Sequence, residues 1–292
     1  MNRRTGLRPV TSGERVFGIW LVVVSAMFFS TAGVFSKGVA ADAWTIIFWR
    51  GIFASIGALL YLLVAGRLQV EIRDFKFPSL ALTAIYAAST TTFILAFKLT
   101  SIANVALIWS TAPVLAGLFA WWLFGQPVSF GFAMACAAVL GGTFIIVYGS
   151  FGGSGLAGDL LALLMTLMMV LIMMVFRRFP ETPATLPTVS SSVLLLPICW
   201  YLGDPFVAEP AEIALMALFG VTFVIASITL AQGSKFLSPG ETALLSISES
   251  PWAIILAMLL LAEFPSMQTV IGGSIIMASV LWYQSTAFRK GA

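Results

Sequence analysis

Apolar runs of about 20 residues follow one another along nearly the whole chain, and this limits the possible folds more than any motif does. Hydrophobic residues make up 60% of the 292 residues, charged residues make up 9%, and the mean hydropathy is +1.03. A single water-soluble domain cannot enclose that much apolar surface. The sequence therefore predicts an all-α membrane protein in contact with a lipid bilayer.

The residues that interrupt the apolar runs divide the chain into ten predicted transmembrane helices. A glycine-rich break at 149–155 lies near the middle of the chain and separates two halves. We therefore predict two domains, residues 1–152 and 153–292, with five helices each. The predicted helices are 16–38, 43–64, 76–99, 103–124, 129–149, 156–177, 185–202, 211–235, 240–262 and 267–286.

The two halves carry an internal repeat. Ala96–Ser101 and Gly233–Ser238 show one pattern, and each closes one apolar run and opens another. Because an odd number of crossings separates the copies, the second half is expected to be inverted relative to the first. Inverted halves are typical of alternating-access transporters. Further matched pairs are Gly18 with Gly158, Lys37 with Arg177, and Pro113 with Pro251.

The distribution of basic residues predicts the orientation. Only Lys37 and Lys98 fall on the side opposite the N-terminus, while Arg50 lies within a helix. By the positive-inside rule both termini are therefore expected in the cytoplasm. The repeat-related Lys37 and Arg177 then lie on opposite sides, as inversion requires. The basic residues on the N-terminal side are Arg3, Arg4, Arg8, Arg15, Arg67, Arg73, Lys76, Arg177, Arg178, Lys235, Arg289 and Lys290.

Composition argues against several other functions. The chain has no histidine, and Cys136 and Cys199 are its only cysteines and lie in separate apolar runs. An intramembrane enzyme needs a nucleophile with a base, or clustered metal ligands, and these residues supply neither. The basic residues are scattered rather than gathered into a face that could bind nucleic acid. We therefore expect no enzymatic activity, cofactor, metal or nucleic-acid partner.

Several motifs resemble the drug and metabolite transporter superfamily, specifically its ten-helix branch with two EamA repeats. That family places a segment of the type Tyr-Ala-Leu-Lys-Tyr-Thr-Ser-Ala-Ala before a helix with a proline and a Gly-Glu turn. Gln126 replaces the usual glutamate of the first turn, and Ala262 replaces the usual glycine of the second. The matching segments are Ala96–Ala103, Pro113 and Gly125-Gln126, then Gly233–Gly240, Pro251 and Ala262-Glu263, with Phe48-Trp49-Arg50 and Gly158–Ala162.

The length and the aromatic-rich helices look most like bacterial aromatic amino-acid exporters. That resemblance implies export of aromatic and other neutral amino acids across the inner membrane. We further expect a central cavity and a monomer. Export of other drugs or metabolites, and a non-transporting structural subunit, remain alternatives. Exchange of phosphorylated or nucleotide-linked sugars would call for several deep basic residues, and only Arg50 lies clearly within a helix. Facilitated diffusion and proton exchange both remain open as the driving force.

Two charged residues fall clearly inside predicted helices, Arg50 and Glu249. Charges in hydrocarbon are costly and tend to mark pathways or structural pairs. A zwitterionic amino acid needs a partner for its carboxylate and another for its ammonium, so these two form a matched candidate site. The alternatives are that Arg50 binds carbonyl groups or a loop, and that Glu249 is protonated or bonded to nearby serines.

The other predicted substrate-binding residues are polar, aromatic or flexible side chains at similar depth. Two of them are tryptophans that lie too deep in their predicted helices to anchor the protein at the membrane interface. The hydroxyl-bearing residues and the methionine could instead serve only to pack helices together. These residues are Trp109, Trp252, Ser246, Tyr86, Thr90, Gln232 and Met168.

Overall fold

The computed structural model describes residues 12–125, 130–150, 153, 155–179, 181–233, 236–237, 245–246 and 248–291. Every secondary-structure element assigned there is an α-helix. They are α1 (Ser12–Gly38), α2 (Ala43–Val64), α3 (Leu68–Arg73), α4 (Phe77–Leu99), α5 (Ile102–Trp109), α6 (Ala112–Phe124), α7 (Phe130–Gly149), α8 (Leu156–Arg178), α9 (Thr185–Leu202), α10 (Pro210–Gly233), α11 (Glu249–Leu261) and α12 (Met267–Gly291).

By length and composition, eight segments of the described chain can cross a membrane. Helices α5 and α6 together form one of them, Ile102–Leu123. Helix α11 and the Met267–Tyr283 part of α12 are shorter apolar helices. The chain is therefore a multi-pass, all-helical membrane protein.

The predicted helix at 103–124 is divided in the structure at Ser110 and Thr111. Proline in the first turn of α6 lacks an N–H group, so the preceding helix cannot continue its hydrogen-bond ladder. The hydroxyl groups of Ser110 and Thr111 donate to carbonyl oxygens of the preceding turn. The predicted helix at 240–262 lies partly outside the described residues. Among those described, residues 245–246 are helical, and α11 begins at Glu249, two residues before Pro251.

Helices α6 and α11 end in the same backbone conformation. Each has 13 residues, and each is followed by a left-handed residue, Gly125 with φ 61° and Ala262 with φ 51°. Glycine adopts this conformation without cost, whereas a Cβ atom makes it unfavourable. Ala262 is the non-glycine residue with positive φ among the described residues. The second turn motif has therefore kept its geometry despite losing its usual glycine.

We expect Ala262→Gly to raise the free energy of unfolding by about 1 kcal/mol, because it removes the Cβ from a left-handed position. Gly125→Ala is the matched control and should lower it by a similar amount. A Cβ at Gly125 would meet nothing within 4 Å, so that substitution tests the backbone alone. The check is the thermal unfolding midpoint of the detergent-purified variants; a destabilised Ala262→Gly variant would contradict the prediction.

Most of the charged contacts of the described residues lie at one end of the bundle, which we call the polar end. Helices α1, α4, α7, α9 and α11 end there, and α2, α5, α8, α10 and α12 begin there. Contacts such as Lys37 to Glu263 and Lys98 to Val39 join these helix termini. The polar end therefore lies opposite the N-terminus of α1, as the predicted crossing pattern requires.

The helix pairs α1 with α10 and α4 with α8 pack closely along their lengths. At Gly158 in α8, a Cβ would lie 2.6 Å from the backbone nitrogen of Thr100 after α4. At Gly18 in α1, a Cβ would lie 2.8 Å from Phe236 and 3.2 Å from the carbonyl oxygen of Gly233. In both places only glycine permits the approach, as is common between membrane helices.

Candidate functional site

Arg50 is held in the interior by α2. Asp42 caps that helix by accepting hydrogen bonds from the backbone of Trp44 and Thr45, at 2.8 and 3.1 Å. Arg50 is only 5% exposed, and its Nε atom is buried without a hydrogen-bond partner. The Arg50 guanidinium forms no ion pair and no hydrogen bond with any described residue. The sequence-based alternative, in which Arg50 binds carbonyl groups, therefore has no support in these contacts.

Two phenylalanines of α10 pack against the Arg50 guanidinium. Its Cζ atom lies 4.9 Å from the ring centre of Phe219 and 4.4 Å from that of Phe223. Gly220 makes this possible, because a Cβ there would lie 2.9 Å from the Arg50 carbonyl oxygen. The cation–π contacts stabilise the charge but accept no N–H hydrogen bond of conventional strength. Sequence reasoning missed Phe219 and Phe223; their helical i, i+4 spacing around Gly220 was the available signal.

Two phenylalanines of α1 extend this aromatic cluster. Phe35 stacks on Phe219 with ring centres 5.4 Å apart, and Phe29 contacts Phe223 edge to face at 5.8 Å. The buried guanidinium therefore sits beside aromatic rings from both halves of the chain. Such an apolar wall with one convergent polar group is typical of small-molecule sites.

Glu249 and Trp109 are brought together by the breaks in their helices. Trp109 ends α5, Glu249 begins α11, and their side chains lie close together. Beside them the Ser110 and Ser250 hydroxyl oxygens are 2.6 Å apart. The two proline-associated helix breaks, one in each half, therefore face each other. The sequence predicts one continuous helix here. In the structure Ser248 is a turn residue, so Glu249 begins a short helix instead of lying within a longer one.

The remaining predicted residues do not gather around this pair. Tyr86 of α4 lies beside Thr188 of α9, and Gln232 donates to the Tyr61 hydroxyl at 3.0 Å. Trp252 is 38% exposed, so it lies nearer the bundle surface than expected for a cavity wall. Thr90, Met168 and Ser246 are partly buried. None of the contacts of the described residues joins Arg50 to Glu249.

An ion pair links the two halves at the polar end. Lys37 Nζ lies 2.6 Å from Glu263 Oε2 and donates to the Thr100 carbonyl oxygen at 2.9 Å. The Ile102 backbone N–H donates to Glu263 Oε1 at 2.6 Å. Because the side chains of Lys37 and Glu263 are 31% and 18% exposed, the pair is partly shielded from solvent. This pair ties α1 and α5 of the first half to the end of α11.

A second connection at the polar end surrounds Asp159, which is fully buried in the first turn of α8. Thr100 Oγ1 donates to Asp159 Oδ1 at 2.6 Å, and Asn104 Nδ2 lies 3.0 and 3.2 Å from the two carboxylate oxygens. Thr269 of α12 donates to Asn104 Oδ1 at 2.6 Å. The helix N-terminus further stabilises the carboxylate. Asp159, Asn104 and Thr269 were not predicted as functional residues.

A polar cavity of about 370 Å³ opens beside these two networks. Lys37, Lys98, Asn104, Ser150 and Thr269 contribute to its walls. Lys98 donates to the Val39 carbonyl oxygen at 2.7 Å, so both lysines already take part in contacts between helix ends. This cavity is therefore part of the junction between the two halves.

The fold and its buried charged groups define a helical membrane protein with similar halves, and comparison with known proteins supplies the family. The sequence profile of the EamA-like transporter family matches residues 16–148 and again residues 156–283. The chain belongs to the EamA-like transporter family, within the drug and metabolite transporter superfamily, and has two EamA repeats.

Comparison with solved structures supports the fold. One structure, described only as a crystal structure of a protein, is 17% identical with a TM-score of 0.68. The match covers 94% of this chain and 98% of the other. No curated protein sequence matches the chain.

Proposed function

We propose that the protein has ten membrane helices arranged as inverted five-helix repeats, residues 1–152 and 153–292, and exposes a central site alternately to each side. The observation that carries this proposal is a pair of equivalent contacts. Gly158 of the second half packs on Thr100 at the polar end. Its counterpart Gly18 packs on Leu237, which the repeat pairs with Thr100, at the opposite end. Inverted repeats place equivalent contacts at opposite membrane faces, whereas repeats in parallel orientation place them at the same face.

The proposed substrates are small amphipathic metabolites, foremost aromatic and other neutral amino acids. The aromatic cluster beside Arg50 supports binding of an apolar group, and Arg50 and Glu249 supply opposite charges for a zwitterion. We place the protein in the bacterial inner membrane as a monomer with both termini in the cytoplasm. Its proposed direction of transport is export. Other drugs or metabolites, or a structural subunit without transport, are the competing functions.

Counterflow into proteoliposomes, using a panel of labelled amino acids and a cationic dye, tests this function. We expect tryptophan and other neutral amino acids to exchange above a control without protein. Exchange of the dye alone would overturn the amino-acid assignment and leave the transport function. No exchange of any compound by a correctly folded protein would favour the structural subunit.

Glu249→Gln is expected to slow amino-acid exchange by about tenfold while leaving folding intact. The neutral amide keeps the size of the side chain and its place beside Trp109, but it no longer pairs with an ammonium group. Initial rates of counterflow over a range of pH provide the measurement. Glu209→Gln, at an exposed position before α10, is the matched control and should behave like the parent. Unchanged rates for Glu249→Gln at every pH would exclude Glu249 from the site.

A further inference from the structure

Arg50 is incompletely satisfied by the protein. A guanidinium carries five N–H donors and no acceptor, and burial removes the water that would otherwise bind them. The contacts of Arg50 in the structure are the two phenylalanine rings, and its Nε atom is enclosed without an acceptor. A buried unpaired donor is costly, so this arrangement favours a ligand that brings its own acceptors.

Glu249 presents the opposite case. Its carboxylate already lies beside the Trp109 indole, a group that can donate a hydrogen bond to it. An ammonium group would therefore add to an existing interaction there, whereas an anion at Arg50 would supply a missing one. The two charged groups also belong to separate sets of contacts, with α1 and α10 around Arg50 and α5 beside Glu249.

Because Arg50 is the one basic side chain at this site among the described residues, the site favours an anion with a single negative charge. Among the described residues the other lysines and arginines lie in the first or last turn of a helix, in the short helix α3, or in connections. A singly charged carboxylate balances one guanidinium and matches its planar fork in two parallel hydrogen bonds. A doubly charged phosphate would leave one negative charge uncompensated in the interior.

We infer that Arg50, held by Phe219 and Phe223, anchors the carboxylate of the substrate, and that the substrate class is aromatic monocarboxylates with or without an amino group. The rings of Phe29, Phe35, Phe219 and Phe223 provide the apolar wall beside that anchor. This inference rests on the proposed transport function and narrows its substrate. It makes the carboxylate obligatory and the ammonium dispensable.

Three probes that share an indole ring separate these requirements: tryptophan, 3-indolepropionate without the amine, and tryptamine without the carboxylate. Binding is measured as stabilisation of the purified protein against heat, and transport as counterflow in proteoliposomes. We expect tryptophan and 3-indolepropionate to bind and exchange, and tryptamine to bind at least about tenfold more weakly. Tryptamine binding as tightly as 3-indolepropionate would overturn the inference without any variant being made.

Two substitutions at Arg50 test the anchor itself. Arg50→Gln should weaken 3-indolepropionate binding by about 10- to 100-fold, and Arg50→Lys by less because it keeps the charge but loses the fork. Arg67→Gln removes an exposed cation in the connection after α2 and should leave binding unchanged. If Arg50→Gln misfolds, the Arg50→Lys variant and the comparison of the three probes on the parent still test whether Arg50 binds the carboxylate.

The outcomes distinguish this inference from the proposed function. Exchange of tryptophan that is equally fast in the parent and the Arg50 variants would overturn the carboxylate anchor and leave transport standing. Exchange of 3-indolepropionate that depends on Arg50 would support both. Failure of all three probes to bind or exchange would contradict the inference and the amino-acid assignment, whereas exchange of the cationic dye would still support transport.

Discussion

A reducible crosslink between positions 37 and 263 is expected to stop transport. Lys37 and Glu263 belong to opposite halves of the chain, and their ion pair closes the polar end in this structure. If the halves separate at that end in each cycle, a covalent link there holds the protein in one state. In the Lys37→Cys, Glu263→Cys double variant, a bifunctional thiol reagent with a cleavable disulfide should reduce counterflow by about tenfold or more. Reducing the linker should restore the rate.

The matched control joins two positions in the same half. Arg73 and Asp74 form an exposed ion pair at 3.2 Å, and no relative movement of the halves has to break it. Crosslinking Arg73→Cys to Asp74→Cys should leave the rate unchanged. Full transport by the protein crosslinked at 37 and 263 would show that the polar end need not open at this point, and would contradict the proposed cycle.

Asp159→Leu is expected to lower the free energy of unfolding by about 3 kcal/mol. Removal of the buried carboxylate leaves the Asn104 amide and the Thr100 hydroxyl without their main acceptor. Both groups are buried, although they border the polar cavity, so water replaces the lost hydrogen bonds only in part. The measurement is the thermal unfolding midpoint in detergent, compared with the parent under the same conditions.

Two further variants separate loss of the network from loss of charge. Asp159→Asn keeps an acceptor for Thr100 and should be destabilised less than Asp159→Leu. Asp204→Asn changes an exposed residue between α9 and α10 and should shift stability by no more than about 0.5 kcal/mol. An Asp159→Leu variant as stable as the parent would show that the Asp159 network does not hold the halves together.

Most of the helices could be predicted because their ends are marked by residues that cannot lie in hydrocarbon. The predicted bounds of α2 and α9, 43–64 and 185–202, agree with the structure at both ends. The division between α5 and α6 was not predicted, since an apolar run with one proline can continue with a bend or stop. The short helix α3 was also missed, because its six residues alternate between apolar and polar, and that period does not indicate a helix.

The candidate site was predictable only in part. Arg50 and Glu249 were found because a charge within an apolar run is conspicuous in sequence. The partners of Arg50 were not, because Phe219 and Phe223 are two among 24 phenylalanines and only the packing of α10 on α2 distinguishes them. The pairing of Asp159 with Asn104 was equally hidden, since the two residues lie 55 positions apart in the chain.

If two inverted halves open at opposite ends in turn, distances across the two ends must change in opposite directions. Spin labels on cysteines at Ala40 and Glu209 report on the polar end, and labels at Arg67 and Glu181 report on the opposite end. Cys136 and Cys199 are replaced by alanine in both variants. Under exchange conditions with substrate, we predict that one distance distribution lengthens as the other shortens. Distances that change together, or stay fixed while counterflow proceeds, would contradict alternating access by inverted halves.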